Sequence, residues 1–593
     1  VTGHKVAGVI RTVSGKVRTV VGVVAASVLV GSGVSASAGS VSALSALSGD
    51  TIFLPNVDDD QRRCHVESAD LDAVGEEVDV RLAACNDAAD ERVNGARDED
   101  DLARLRVGRV GGRSGAVSVD AQARVFVKRR GGFDPDLRLS AAELRSGVEL
   151  GVEGKDILRD PAMWDGWVTV TLTVDNRVRA KHRMRVAPLV LQNDLQPATT
   201  VFAARPNEGP GWVDHPAGLP QLPKEFPGDF EKFATPLRQE AADVRFIKGT
   251  STWWKDVWWQ DLFEPATASM PTRHGIQTMR VAIRSANIWQ VPDAKGNPVL
   301  TPRPAGRQLF RDLRGPDVGV VQEYTLDERH FVADLRNATG NIESLPPYDG
   351  HPQGRLIYGT APDSGPTASL KPDKKFITML TAQGQQPPVV IDTSWLVVGH
   401  ADETMHVIRA NNARGWTLMV ADPRLAERLL REVPKDTKLL ADTIAPTKPT
   451  AGQLLGDTKF LTDNEQAAHH IDSQVQVMLT ETGLRPDELI RVPVLFRKAP
   501  DLPLYSAFTP GIPNGISLND RLFAAPDPHG PVTDGKDVFR RETERAIAGS
   551  GVRIRWVNDY RWAHIGGGEV HCTTNAWRDT SKALPWWKGQ QDL

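Results

Sequence analysis

The chain has 593 residues, too many for one ordinary domain, so two or three are expected. Hydrophobic content of 40% and charged content of 25% are those of a globular protein. A net charge of -4 offers no basic field for nucleic acid, and 51 Gly with 41 Pro at no fixed period argue against a helical bundle.

In chain order, a basic lead (His4, Lys5, Arg11, Lys16, Arg18) precedes an apolar run at residues 20–30 and the small-x-small pattern Ala36-Ser37-Ala38. This pattern predicts a secretory signal peptide over residues 1–38, with a Ser/Ala/Gly-rich linker at 39–50. The apolar run is short and broken by Gly31 and Gly33, which disfavours a membrane anchor. No other segment approaches the ~20 apolar residues of a span. A secreted, extracellular protein without stable membrane association after cleavage is expected. An oxidising compartment allows a Cys64–Cys85 disulfide and leaves Cys572 unpaired. An unpaired Cys is either a buried apolar residue or a reactive thiol, and composition leaves both open.

Residues 51–56 begin as a strand and break at Asn56-Val57-Asp58-Asp59-Asp60. The acidic stretch from there to Asp101 reads as a solvated loop or as a calcium site. Asn56, Asp58 and Asp60 offer oxygen at alternate positions, as a hard cation needs, but the Gly and closing Glu of an EF-hand are missing. Strand patterns at 124–128, 167–174 and 183–191, separated by Gly/Asp turns, predict a β-sandwich over residues 51–190. From 191 to 593 apolar strands (388–391, 416–420, 551–557) alternate with helical patterns (423–432, 536–548), so one large α/β domain follows. Residues 395–398 read as a buried strand.

His400 and Asp402 follow that strand. A lone His there is more often structural; with Cys572 in the chain, a Cys-His couple is the alternative. Asp261 sits in a segment holding Trp253, Trp254, Trp258 and Trp259. A buried carboxylate among aromatics needs a cation or donors, and a guanidinium would supply both.

The stretch Gly568-Glu569-Val570-His571-Cys572-Thr573-Thr574-Asn575 resembles the nucleophile motif of the protein-arginine deiminases. Trp258-Trp259-Gln260-Asp261, residues 337–347, 354–359 and 394–403, and Trp586-Trp587 are similar to the same family in the same order. The strand before Pro55-Asn56 and the acidic run resemble its immunoglobulin-like domain. The resemblance implies an α+β multidomain chain, an N-terminal immunoglobulin-like β-sandwich followed by a pentein catalytic domain, a five-fold α/β propeller. It also implies calcium-dependent hydrolysis of peptidyl-arginine in proteins or peptides to peptidyl-citrulline, with release of ammonia.

The family's catalytic positions match Asp261, His400, Asp402 and Cys572. Asp261 and Asp402 would grip the guanidinium with bidentate, charge-assisted hydrogen bonds. Cys572 would attack its carbon to give a covalent thiouronium, with His400 as acid and base. Trp258 would pack along the arginine stem. Gln260, Glu264 and Glu343 match side-chain calcium ligands, and Thr339 and Ile342 match backbone ligands. Asn56, Asp58 and Asp60 match ligands in the sandwich, with Asp101 a weaker match. Leu262 and Arg284 stand where the family has acidic ligands of a further calcium, so the resemblance does not extend to that site. The family holds the substrate backbone with arginines; Gly566 and Gly567 occupy one such place, and Arg303 and Arg307 lie in the other region. Other readings are a deiminase of free arginine or agmatine, which the sandwich and calcium residues disfavour, and a non-catalytic calcium-binding adhesion protein. A Cys-His-Asp peptidase would leave Asp261 idle.

Overall fold

The alternating sequence of the strand Trp167–Val174 puts every second side chain on one face, and Val168, Val170, Leu172 and Val174 are buried. The computed structural model describes residues 46–205, 227–249 and 256–588, apart from 328, 330 and 501. The expected signal peptide, most of the linker, Trp253 and Trp254 lie outside the described residues. Trp167–Val174 is the middle strand of a sheet ordered Ile52–Phe53, Arg177–Val186, Trp167–Val174, Ser114–Ser118, Arg138–Ser140. A second sheet is ordered Leu47–Gly49, Ala103–Val107, Val148–Gly154, Ala123–Arg129, Gly132–Asp134. Leu105, Val125, Val127, Leu150 and Val152 of the second sheet join the inward residues of the first in one apolar cluster, which makes the pair a β-sandwich.

Two boundaries differ from expectation. Leu47–Gly49, expected within the linker, is an edge strand antiparallel to Ala103–Val107, because Leu47 has an apolar side chain to bury. The strand expected over 183–191 is two strands. Arg177–Val186 stays in the sandwich, whereas Val190–Leu191 pairs with Phe263–Thr272 of the following part. The sandwich core also continues into Ala266, Met270, Met279 and Val281. The described residues accordingly fall in one compact unit.

Beyond the sandwich, five units of one design are found among the described residues. Each is an antiparallel pair with a third strand parallel to its second member, and a parallel neighbour requires a crossover. The first four are Phe263–Thr272, Gly275–Arg284, Val318–Gln322; Ile342–Leu345, Arg355–Thr360, Val389–Asp392; Met405–Arg409, Trp416–Asp422, Ile490–Pro493; and Ile516–Asn519, Leu522–Pro526, Arg553–Val557. The fifth joins distant stretches: Ala198–Arg205 pairs antiparallel with Thr574–Arg578 and parallel with Val244–Lys248. Five is the number that the resemblance implies.

Crossover helices carry local signals. In Pro423–Glu432, Asp422 caps the Leu425 N–H, Pro423 opens the first turn, and Leu425, Ala426, Leu429 and Leu430 form the buried stripe. Residues 395–398, expected as a buried strand, form a turn instead. They meet the strand Tyr505–Ala507 at a single bridge, where the Trp395 carbonyl accepts from the Tyr505 N–H at 2.9 Å, and the Arg336 guanidinium donates to the Leu396, Val397 and Val398 oxygens at 2.7–3.1 Å.

Candidate active site and cation sites

Cys572 lies on a turn that leads into the closing strand Thr574–Arg578. Asn514 holds this turn: its carbonyl accepts from the His571 N–H at 3.0 Å and its side-chain oxygen from the Cys572 N–H at 3.3 Å. The Cys572 carbonyl accepts from the Gln260 N–H at 3.2 Å, which docks the 256–261 loop on the nucleophile turn. A Cβ on Gly568 would stand 2.5 Å from the Trp258 ring and 3.0 Å from Cys572 Sγ. Only a bare backbone leaves room there for the indole beside the thiol. Cys572 is buried, and burial, then Asp402 and Asp261, push its thiol well above the usual range.

All four expected catalytic residues meet here. Cys572 Sγ is 3.7 Å from Asp402 Oδ2, and His400 Nδ1 is 3.6 Å from Asp261 Oδ1. His400 Nε2 is 2.8 Å from the Leu335 carbonyl, which can only accept, so Nε2 carries a proton and Nδ1 faces the site. A Cβ on Gly340 would reach 2.5 Å from His400 Nδ1 and 3.0 Å from Asp261 Oδ1. The bidentate grip expected of both aspartates is not what the geometry offers. Asp261 Oδ2 already accepts from Arg303 at 3.0 Å, and Asp402 Oδ2 from His571 Nδ1 at 2.8 Å. One oxygen of each remains for a ligand. Burial works against the His571 charge, but Glu343, Asp402 and Asp194 outweigh it and raise this imidazole to about 9.

Gln260, Glu264 and Glu343 converge behind the catalytic residues on a cavity of about 20 Å³, lined also by Asp194, His571 and Arg578. Glu264 Oε2 and Glu343 Oε1 are buried without a hydrogen-bond partner. Burial pushes both carboxyls well above the usual range; Asp194 adds to it in both, and His571 opposes it at Glu343. Unpartnered buried oxygens around a space of ion size fit a hard cation. Thr339 and Ile342 do not line this cavity. The Thr339 carbonyl accepts from the Ile342 N–H, and Thr339 Oγ1 donates to the Gln260 carbonyl at 2.6 Å.

Asn56, Asp58 and Asp60 are buried together in the sandwich, and Asp58, Asp60 and Asp87 place one oxygen each within 4.8 Å of one another. Asp98, Asp101 and Glu153 are equally buried around them, with Asn56 Nδ2 donating to Asp98 and Glu153 at 2.9 Å. Asn56 Oδ1, Asp58 Oδ1, both Asp60 oxygens and Asp101 Oδ2 lack partners. Burial, with Asp87 and Asp317 adding, raises Asp60 to about 7. This donor set also fits a hard cation. Asp87 and Asp98 belong to the acidic run, whereas Glu153 is not among the residues the sequence singles out: the strand Val148–Gly154 also carries Glu149, and nothing in the residue order separates the two.

The arginines behave differently from expectation. Arg303 and Arg307 do not line the site mouth; both are buried in ion pairs, Arg303 with Asp256 and Asp261 and Arg307 with Asp79. Arg284 pairs with the same Asp79 at 2.5 Å, so two guanidinium groups and one carboxylate stand together at that locus. Cys64 and Cys85 form a disulfide, and Cys572 is free.

The family model "Protein-arginine deiminase (PAD)" matches residues 176–588. Protein-arginine deiminase type-4 of Mus musculus is 26% identical over 419 residues, 68% of this chain and 56% of its own length. Type-4 of Rattus norvegicus is 29% identical over 301 residues, 48% of this chain and 44% of its own. Type-1 of Homo sapiens is 28% identical over 310 residues, 49% and 45% respectively. The chain spans about half the length of the curated relatives it matches. Among solved structures, C. jejuni agmatine deiminase aligns at a TM-score of 0.34 and 10% identity, covering 66% of this chain and 97% of its own. DDAH from Pseudomonas aeruginosa aligns at 0.31 and 12%, covering 64% and 100%.

Proposed function

The chain belongs to the protein-arginine deiminase family, and from that premise we propose that it hydrolyses peptidyl-arginine to peptidyl-citrulline and ammonia. The observation that carries this reading is the meeting of Asp261, His400, Asp402 and Cys572 at one buried site, with one free oxygen on each aspartate. Two anionic oxygens beside a thiol suit a planar cation. We take the five units as the family's pentein propeller and the sandwich as its immunoglobulin-like domain.

The substrate guanidinium sits between Asp261 and Asp402, with its aliphatic stem along Trp258. Burial holds the Cys572 thiol up first and the two carboxylates add to it; the substrate charge neutralises those carboxylates, so ionisation is coupled to substrate entry. The thiolate adds to the guanidinium carbon, with the proton held at His400 Nδ1. The adduct loses ammonia, which takes that proton, and a thiouronium on Cys572 remains. Water then adds to the same carbon and gives one proton to His400. The carbon–sulfur bond breaks, and the second water proton passes to solvent, where ammonia takes it up as ammonium. Calcium, when bound by Gln260, Glu264 and Glu343, supplies the positive charge these carboxylates lack and holds Gln260 beside Asp261. Asn56, Asp58 and Asp60, with Asp87, Asp98, Asp101 and Glu153, would hold further calcium.

An arginine peptide library incubated with protein and calcium tests the reading. The expected result is a gain of about one dalton at arginine with ammonia release, lost on chelation. Release from free arginine but not from a blocked arginine ester, or none from either, would sink it. We also take the protein to act outside the cell, since the Cys64–Cys85 disulfide suits an oxidising compartment. Recovery of the chain only from the interior of expressing cells would refute this.

A further inference from the structure

The two carboxylates that flank the nucleophile are built alike. Asp261 Oδ2 accepts from Arg303 Nη1 at 3.0 Å, and Asp402 Oδ2 accepts from His571 Nδ1 at 2.8 Å. In both residues the other oxygen, Oδ1, is buried and has no hydrogen-bond partner. Neither donor can reach solvent: Arg303 is 3% exposed and His571 4%.

Both donors are themselves held. Arg303 Nε and Nη2 grip Asp256 at 2.8 and 2.6 Å, and Nη1 also donates to Asn287 Oδ1 at 3.1 Å. Its guanidinium carbon lies 5.2 Å from the Trp289 ring centre. A planar fork tied to three side chains has no freedom to turn. His571 is anchored through its N–H to the Asn514 carbonyl, and Glu343 lies 3.8 Å from its Nδ1.

We infer that Arg303 and His571 are positioning residues of the deimination reaction, each pinning one oxygen of a carboxylate so that Asp261 and Asp402 each present a single fixed oxygen to the guanidinium. The inference rests on the deiminase reading. A carboxylate free to rotate would follow the guanidinium into whatever orientation the ligand adopts. Two pinned carboxylates instead dictate where the guanidinium carbon lies relative to Sγ, and near-attack geometry is worth a large share of a barrier. Neither residue touches the substrate, so its loss is felt in the chemical step more than in binding.

The test compares Arg303→Gln with Arg303→Lys, and His571→Leu with His571→Asn, on a blocked arginine ester at saturating calcium, with melting temperatures alongside. The amide nitrogen of Asn stands close to where the imidazole Nδ1 stands. Arg303→Gln and His571→Leu are expected to lower kcat about 100-fold with little change in KM. Arg303→Lys recovers part of the loss, and His571→Asn most of it. Calcium affinity by calorimetry is expected to be unchanged in Arg303→Gln, which does not line the cation cavity. A purely structural role would lower the melting temperature without this split and without rescue by Asn. If Arg303→Gln does not fold, the His571 pair decides. A kcat within about twofold of the unaltered protein in Arg303→Gln, or equal losses in both His571 variants, overturns the inference. Absence of ammonia release from the unaltered protein overturns the deiminase reading and this inference with it, whereas full activity in the variants overturns the inference alone.

Discussion

At the nucleophile the two aspartates are each served from inside the protein: Asp261 by Arg303 and Asp402 by His571. In the sandwich the acids outnumber their partners. Arg63 reaches Asp87 and Arg124 reaches Glu153, yet five oxygens on Asn56, Asp58, Asp60 and Asp101 stay unpartnered. A buried charge left alone is costly, so it is either matched by an internal cation or kept for an external one. The number of oxygens left free then sets the ligand. One on each of two aspartates suits a flat organic cation; several converging from one loop suit a hard ion that takes about six to eight oxygens. The same residue type thus acquires two uses from what stands behind it.

The widest separation of the two regions should come from Cys572→Ala. It is expected to remove turnover by more than about 10⁴-fold while leaving calcium-induced thermal stabilisation intact, as followed by ammonia release and melting curves. Loss of that stabilisation would join the regions rather than separate them. Asp79 offers the next contrast, an acid fully matched by the internal cations Arg284 and Arg307. Asp79→Ala leaves two buried guanidinium groups unmatched and is expected to cost about 3–5 kcal/mol in denaturant unfolding, by the same amount with and without calcium.

The disulfide addresses the sandwich side. Asp58 and Asp60 precede Cys64 and Asp87 follows Cys85, and the crosslink spans 21 positions between them. Paired Cys64→Ser and Cys85→Ser changes should cost roughly 3 kcal/mol through the freed loop. Calorimetry should show weaker calcium binding; an unchanged affinity would mean that packing alone shapes the cluster.

The smallest effect is one of pH. Asp60 keeps its proton in the folded protein up to about 7, whereas an unfolded chain releases it near about 3.9. Its contribution to stability is therefore complete below about pH 4 and lost as pH rises through about 7. Calcium-free protein should melt at lower temperature as pH rises across this window, and added calcium should flatten or reverse the trend. A flat profile in chelator would show that the acids are already neutralised.

Much of this was legible in residue order. The alternation in Trp167–Val174 and the capped stripe of Pro423–Glu432 were read with the bounds they have, because each is set by neighbours within a few positions. Residues 395–398 have the composition of a buried strand, yet their backbone partners, Arg336 and Tyr505, come from distant parts of the chain. Leu47 was submerged in a run of small residues, and its strand exists only because Ala103–Val107 lies open beside it.

The sequence by itself determined local elements such as Trp167–Val174 and Pro423–Glu432, the cysteine left over from the disulfide, and, through ordered motifs, the family and its four candidate catalytic residues. Only the tertiary structure decided how those residues are backed. That Arg303 serves Asp261 rather than lining the site mouth, that Glu153 joins Asn56 across 97 positions, and that each aspartate keeps one free oxygen are facts of long-range packing. The physical reason is that a charged side chain is defined by its partners once it leaves water. In this chain those partners come from elements far apart in sequence, and spacing along one segment carries no record of them.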